Sequence, residues 1–222
     1  LAASKAAHAA GVSPKVHFAA DGVMVLEYIS GLTLSAEDVR AESRLLRIVD
    51  LVRRCHREVP RHWRGAALMF WVFQVIRDYA STLAEGNSRL TTELPSFLAT
   101  ADELESCVGP IDLVFGHNDL LPANFIDDGE RLWLIDYDYA GFNSPLFDLG
   151  GLASNNELSI AQEREMLEHY FEQTLTGELY RRYYAMKCAS LLRESMWSMV
   201  SELHSDLDID YVAYTAENLS RF

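Results

Sequence analysis

Cysteine is scarce in this chain: there are three in 222 residues, Cys55, Cys107 and Cys188. They lie far apart and match no metal-ligand spacing, so no structural zinc is expected and the thiols read as reduced in a cytosolic compartment. Long hydrophobic runs are missing as well. The longest, Ala66 to Ile76, is interrupted by Gln74 and falls short of the roughly 20 apolar residues that span a bilayer. The first residues have neither the charged nor the apolar region of a signal peptide. These absences argue against membrane insertion and for a cytoplasmic location. Basic residues are outnumbered, nineteen against thirty-three acidic, giving a net charge of −14. Such a balance repels nucleic acid and favours cationic ligands through long-range steering. No internal repeat or low-complexity tract occurs.

What is present is an ordinary globular composition, 49% hydrophobic, enough for a substantial core at this length. The chain opens inside an element: Leu1 to Ala10 is Ala-rich and reads as the end of a helix, stopped at Gly11 ahead of Ser13-Pro14. Lys15 to Ala20 and Val23 to Tyr28 read as two strands joined at Asp21-Gly22. Ser35, with Glu37 and Asp38 behind it, marks a helix start, and helical apolar spacing continues through Leu45, Leu46, Val49 and Val52. A buried helix is expected over 66–84 and another over 94–107, with Pro95 in its first turn. The period then shortens. Residues 113–116, 124–126 and 131–135 read as short strands, the last two folded back at Asp128-Gly129. Three helices close the chain: 159–173 behind a Ser159/Gln162 capping box, 177–204 and 209–222.

Within this frame, His117-Asn118-Asp119-Leu120-Leu121-Pro122-Ala123-Asn124 precedes Leu134-Ile135-Asp136-Tyr137 by one hairpin. Antiparallel pairing across Asp128-Gly129 brings Asn124 and Asp136 to the open end of that hairpin. A carboxylate and an amide carbonyl are the hard oxygen donors that Mg²⁺ takes alongside phosphate oxygens and water. Asp119, on its own loop just before the hairpin, is left to orient a substrate hydroxyl and accept its proton during phosphoryl transfer. Taken singly, these residues are better explained as a turn cap, a strand start and a solvated strand end. Their joint spacing points to a kinase site.

Together with Asp138, Tyr139 and Phe147-Asp148-Leu149-Gly150, these residues resemble the choline/ethanolamine kinase family, within the aminoglycoside phosphotransferase and protein-kinase-like superfamily. The similarity extends to Met196-Trp197-Ser198-Met199-Val200 and the 211–222 helix. Upstream, Val25-Leu26-Glu27-Tyr28-Ile29-Ser30-Gly31 is similar to that family's hinge. The resemblance implies an α+β, protein-kinase-like fold. Residues 1–31 would be the remnant of an N-terminal β lobe and hinge, and 32–222 a mostly helical C-terminal catalytic lobe with a small β-hairpin catalytic region. It implies transfer of the ATP γ-phosphoryl group to the hydroxyl of a small amino alcohol, with Asp119 as base, Asn124 and Asp136 holding Mg²⁺, and adenine at the main chain of Glu27, Tyr28 and Ile29. Asn118 and Asp138 would lie toward substrate, although Asp138 is equally well read as facing solvent. His117 would be a structural member of the catalytic loop and Asp148 its brace. The implied partners are ATP and an amine-alcohol, and a homodimer is compatible with the resemblance.

Trp197 is read two ways, as the aromatic face for a substrate ammonium or as a core anchor beside Met196 and Met199. Glu194 emerges on the same helix face three residues earlier. It stands where choline kinases of the animal type carry a second Trp, and a carboxylate suits a primary or secondary ammonium. Nothing among these residues matches the Gly-rich strand turn over ATP, the strand Lys that contacts its phosphates, or the Glu that pairs with that Lys. Weak nucleotide binding and slow turnover are therefore expected of this exact chain. The alternatives are a kinase of the same fold acting on an aminoglycoside or another small molecule, and a catalytically inactive kinase-like binding module.

Overall fold

The computed structural model describes all 222 residues. They form two compact units, Leu1–Phe70 with Asp112–Thr176, and Trp71–Ile111 with Gly177–Phe222.

The first unit is built on one long amphipathic helix. After α1 (Ala2–Ala9), a hairpin of β1 (Val16–Ala20) and β2 (Val23–Leu26) leads through β3 (Leu32–Thr33) to α2 (Ala36–Arg40) and α3 (Glu42–His62). Leu45, Ile48, Val49, Val52, Cys55, His56 and Val59 repeat at helical spacing along α3, and all are buried. Each fully buried aliphatic side chain in that stripe contributes about 1.5–3 kcal/mol. The remaining elements are β4 (Val114–Gly116), β5 (Phe125–Asp127), β6 (Leu132–Leu134), β7 (Gly141–Asn143), α6 (Pro145–Asn155) and α7 (Ile160–Phe171). The strands make a three-stranded antiparallel sheet ordered β3-β5-β6 and a two-stranded β4-β7 pair. The stripe of α3 packs on α1, β4, β6 and α7.

Local chemistry explains most boundaries. Ser35 caps α2 through a capping box with Asp38, and Ser159 caps α7 through one with Gln162. The single helix expected from Ser35 onward is instead broken at Ala41, whose ψ of 124° is extended. Tertiary bonds hold the break: Arg40 donates to the Asn156 carbonyl at 2.9 Å, and Gln162 donates to the Arg40 carbonyl at 2.7 Å. The helix expected over 66–84 begins only at α4 (Val72–Glu85). Ahead of it the chain pairs like a strand, with the Phe70 amide on the Phe142 carbonyl at 2.9 Å and the Phe142 amide on the Leu68 carbonyl at 2.8 Å. Apolar composition alone does not separate the two states.

The second unit packs α4, α5 (Leu94–Val108), α8 (Gly177–His204) and α9 (Tyr211–Arg221) around the 28-residue α8. Its polar ties are fork-shaped: Arg89 reaches both oxygens of Glu202 at 2.8 and 2.9 Å, and Arg77 spans Asp102 and Glu105. Arg182 bonds the carbonyls of Val108 and Pro110, closing the C-terminal end of α5. No helix of the chain is long and apolar enough to cross a membrane.

Candidate active site

The loop after β4 is organised around one carboxylate. Asp148, in the first turn of α6 and buried, accepts the amides of His117 and Asn118, each at 2.7 Å, and Nε2 of His56 at 2.8 Å. Two successive N–H groups converging on one anion require a bent backbone, and Asn118 adopts φ 66°, a region that Asn enters more readily than most residues. Gly116 makes the approach possible, since a Cβ there would lie 2.6 Å from Asn118 Oδ1 and 3.3 Å from Asp148 Oδ2. Burial alone would raise the Asp148 carboxyl. The hydrogen bond and charge of His56, with those of His117, outweigh it and hold the group below the ordinary carboxylate value.

His56 extends this network inward, its Nδ1 lying 2.7 Å from the Tyr170 hydroxyl. Burial and the Asp148 charge push the Tyr170 phenol up, so it stays protonated and polar without adding a second buried charge. Beneath the loop, Tyr137 faces the Cys55 thiol. Burial raises both groups, which makes Cys55 an inert packing thiol.

The other sequence-selected residues separate into those the structure gathers and those it does not. Asn124 donates through Nδ2 to the main-chain carbonyl of Asp119 at 2.9 Å, and its own carbonyl accepts the Ile135 amide at 3.0 Å. With Phe125 opposite Leu134 in the β5–β6 register, Asn124 and Asp136 stand at the open end of the hairpin. His117 Nε2 bonds the Ile135 carbonyl at 2.9 Å, tying the loop to the residue before Asp136. This places His117 as a cross-link. Asp136 is exposed with φ 66°, and Asp138 is exposed as well.

Asn118 is a correction. Expected toward substrate, it is 1% exposed, with Nδ2 on the carbonyls of Tyr139 and Gly141 and Oδ1 accepting from Asn143. The bend that serves Asp148 turns its side chain inward.

Glu27 extends the β1–β2 hairpin, its amide on the Lys15 carbonyl at 2.7 Å and its carboxylate on the Lys15 amide at 3.3 Å. Tyr28 is exposed and Ile29 half-buried. In the second unit, Glu194 accepts from the Tyr214 hydroxyl and from Arg193, each at 2.9 Å. Trp197 is half-buried and meets Tyr211 and Tyr214 edge-on at 6.1 and 6.4 Å between centroids. Burial, the Glu194 charge and the hydrogen bond to it push the Tyr214 phenol up to about 12.

A metal would find a hard donor set here. No three His, Cys, Asp or Glu side chains cluster in a metal-binding arrangement. The candidate set is the exposed Asp136 carboxylate with the Asn124 amide oxygen, whose Nδ2 is already spent on the Asp119 carbonyl. One carboxylate and one amide, completed by phosphate and water oxygens, suit Mg²⁺.

His56, Tyr170 and Asn143 were not singled out from the sequence. The available signal was the place of His56 on the inner, otherwise apolar stripe of α3, where a polar group requires a buried partner.

The fold and this loop-and-hairpin arrangement define a protein-kinase-like architecture. A macrolide 2'-phosphotransferase from Brachybacterium faecium shares the fold at 16% identity, with a TM-score of 0.63 over 98% of this chain and 78% of that one. Residues 2–165 match the choline/ethanolamine kinase family model, and the chain belongs to that family of small-molecule kinases. A choline/ethanolamine kinase family protein from Mesorhizobium loti is 29% identical, with a TM-score of 0.85 over 99% of this chain and 76% of that one. The ethanolamine kinase of Drosophila melanogaster is 26% identical over 93% of this chain, and the chain spans 46% of that relative's length.

Proposed function

We propose that the chain is the catalytic portion of an ATP-dependent kinase that phosphorylates the hydroxyl of a small amino alcohol. The observation that carries this reading is the knitting of Asp119, Asn124 and Asp136 into one unit by the Asn124–Asp119 and Ile135–Asn124 hydrogen bonds. In this reading Asp119 orients the hydroxyl and takes its proton. Asn124 and Asp136 hold Mg²⁺, which when bound offsets the charge of the transferring phosphoryl group. Asp148 and His117 keep the loop in register with the hairpin, so the acceptor and the metal ligands stay in fixed relation.

The main-chain groups of Glu27, Tyr28 and Ile29 are proposed to receive the adenine edge. This is supported by the Glu27 carbonyl and the Ile29 amide, which engage no other main-chain group. Glu194 and Trp197 are proposed to meet the substrate ammonium. A primary ammonium donates N–H bonds that a quaternary one lacks, and the Glu194 carboxylate accepts them, so ethanolamine is favoured over choline. The same feature supports a second reading, in which the acceptor is another hydroxylated primary amine such as an aminoglycoside.

The test is ADP release from MgATP by the full chain across ethanolamine, choline and an aminoglycoside. Release that depends on the amine and disappears in Asp119→Asn is expected, with ethanolamine fastest. ADP release that is independent of any acceptor, or that survives the substitution, would refute the proposal. Metal-dependent nucleotide binding without transfer would turn the reading to a binding module.

A further inference from the structure

The charge of the chain is unevenly spread. Residues 40–64 carry eight arginines and no lysine against three acids, while the rest of the chain carries eleven basic and thirty acidic residues. Along α3, Arg47, Asp50, Arg54 and Arg57 follow one another at intervals of three and four, and all are exposed. They therefore share the outward face, away from the buried stripe. Where this face meets the turn of the β5–β6 hairpin there is a cavity of about 260 Å³, with Arg47, Arg54 and Arg131 on its walls and Leu51 and Leu132 also lining it.

The three guanidiniums are held or left open in ways that suit an incoming anion. Arg131 places its Cζ over the Trp133 ring, 3.6 Å from the centroid, and donates to the Gly11 carbonyl at 2.8 Å, which fixes its direction. Arg47 touches only Asp127, at 3.4 Å, a carboxylate that Arg44 already engages at 3.3 Å. Arg54 is exposed and has no hydrogen-bond or ion-pair partner. Two acids line the same cavity. Asp50 is engaged by Arg53 at 2.8 Å and by His169 Nε2 at 2.9 Å, while Glu130 is exposed at the turn. Guanidiniums on two elements, set around a recess, match the tetrahedral oxygens of a phosphate group through paired N–H donors.

We propose that this cavity binds a compact, soluble anion bearing a phosphate or oligophosphate group, at a site separate from Asp119, Asn124 and Asp136. The separation follows from the hairpin: the cavity sits at the Asp128-Gly129 turn, and the candidate metal ligands sit at the open end. The two sites are nonetheless linked by shared elements. β6 runs from the cavity to Ile135 and Asp136, and α3 carries His56 on its inner face.

The probe is inorganic pyrophosphate, titrated calorimetrically into the full chain with EDTA present, so that metal-mediated binding at the hairpin's open end is silent. Arg54→Glu is expected to weaken binding at least tenfold with no change in thermal midpoint, because Arg54 is exposed and makes no contact that folding uses. Asp136→Asn is expected to leave the affinity unchanged. Vesicles of phosphatidylserine are expected to bind no better than neutral ones. The proposal is overturned if pyrophosphate does not bind, if Arg54→Glu binds it equally well, if the loss follows Asp136→Asn instead, or if only the anionic vesicles bind.

Discussion

Replacing Asp148 by asparagine removes one buried negative charge and one of two acceptor oxygens, while three donors remain aimed at the site. Asp148 Oδ2 serves the His117 amide and His56, and Oδ1 serves the Asn118 amide. An asparagine presents its single oxygen to one side and its NH₂ to the other, so at least one donor loses its acceptor. A buried donor left unsatisfied costs about 1–3 kcal/mol, and more where the lost partner is charged. We take about 3 kcal/mol, since asparagine keeps one acceptor. For a chain of this size that is a fall of about 6–12 °C in thermal midpoint. Circular dichroism reads the midpoint, and hydrogen-exchange mass spectrometry of the 113–121 segment reads the loop, which is expected to lose protection first. The pH dependence has a defined sign. The folded carboxyl titrates below its ordinary value of 3.8, so in that window the unfolded chain binds a proton that the folded chain does not. The group's contribution is therefore present above pH about 4 and is lost as pH falls through the lower folded value. The acid-induced drop in midpoint should be smaller in Asp148→Asn than in the parent chain. A midpoint within 1 °C of the parent (about 0.3 kcal/mol by the same conversion), with unchanged loop protection, would refute the account of Asp148 as the loop's anchor.

The remaining predictions concern the hairpin and the ammonium group. Asp136→Asn should leave stability within about 0.5 kcal/mol, as an exposed residue that tolerates positive φ, while Mg²⁺-dependent ADP binding, measured by calorimetry, falls at least about tenfold. Gly31→Ala places a Cβ 2.6 Å from the Asp127 carbonyl oxygen and 2.9 Å from its carbon. Backbone cannot swing aside as a side chain does, so a loss of about 1–3 kcal/mol is expected in urea unfolding. Glu194→Gln should lower kcat/KM for ethanolamine about tenfold, by weakening a charge-assisted bond, and leave choline nearly unaffected. Equal losses for both amines would assign Glu194 to packing.

Much of the fold was legible where one local signal decides. The limits 177–204 expected for α8 are those observed; its sequence lacks internal proline, and glycine opens it. The Ser159/Gln162 box marked the start of α7, and Asp128-Gly129 marked the hairpin turn. Legibility failed where a tertiary bond overrode propensity, as at Ala41, where the ties through Arg40 break a helix that its apolar spacing would continue, and at Leu68–Phe70, where pairing with β7 claims an apolar stretch. The candidate site divides the same way. Asp119, Asn124 and Asp136 lie within eighteen positions and one hairpin, so the ties of Asn124 to the main chain of Asp119 and Ile135 are local ones. His56 acts on Asp148 across 92 positions, and no local pattern in the sequence announces such a partnership. Asn118 was misjudged for a related reason: its neighbours suggested chemistry, but its side chain is spent on Tyr139, Gly141 and Asn143.

The left-handed backbone at Asp136 constrains how this region of the molecule can drift over generations. Glycine and asparagine are the replacements that tolerate that dihedral without strain, and both erase the negative charge while sparing the architecture. With Asp136 in its proposed role as a metal ligand, a lineage released from that role has a route to a silent, well-folded descendant through this one codon. A lesion at Asp148, by contrast, loosens the loop and lowers stability together, so it does not leave the architecture untouched.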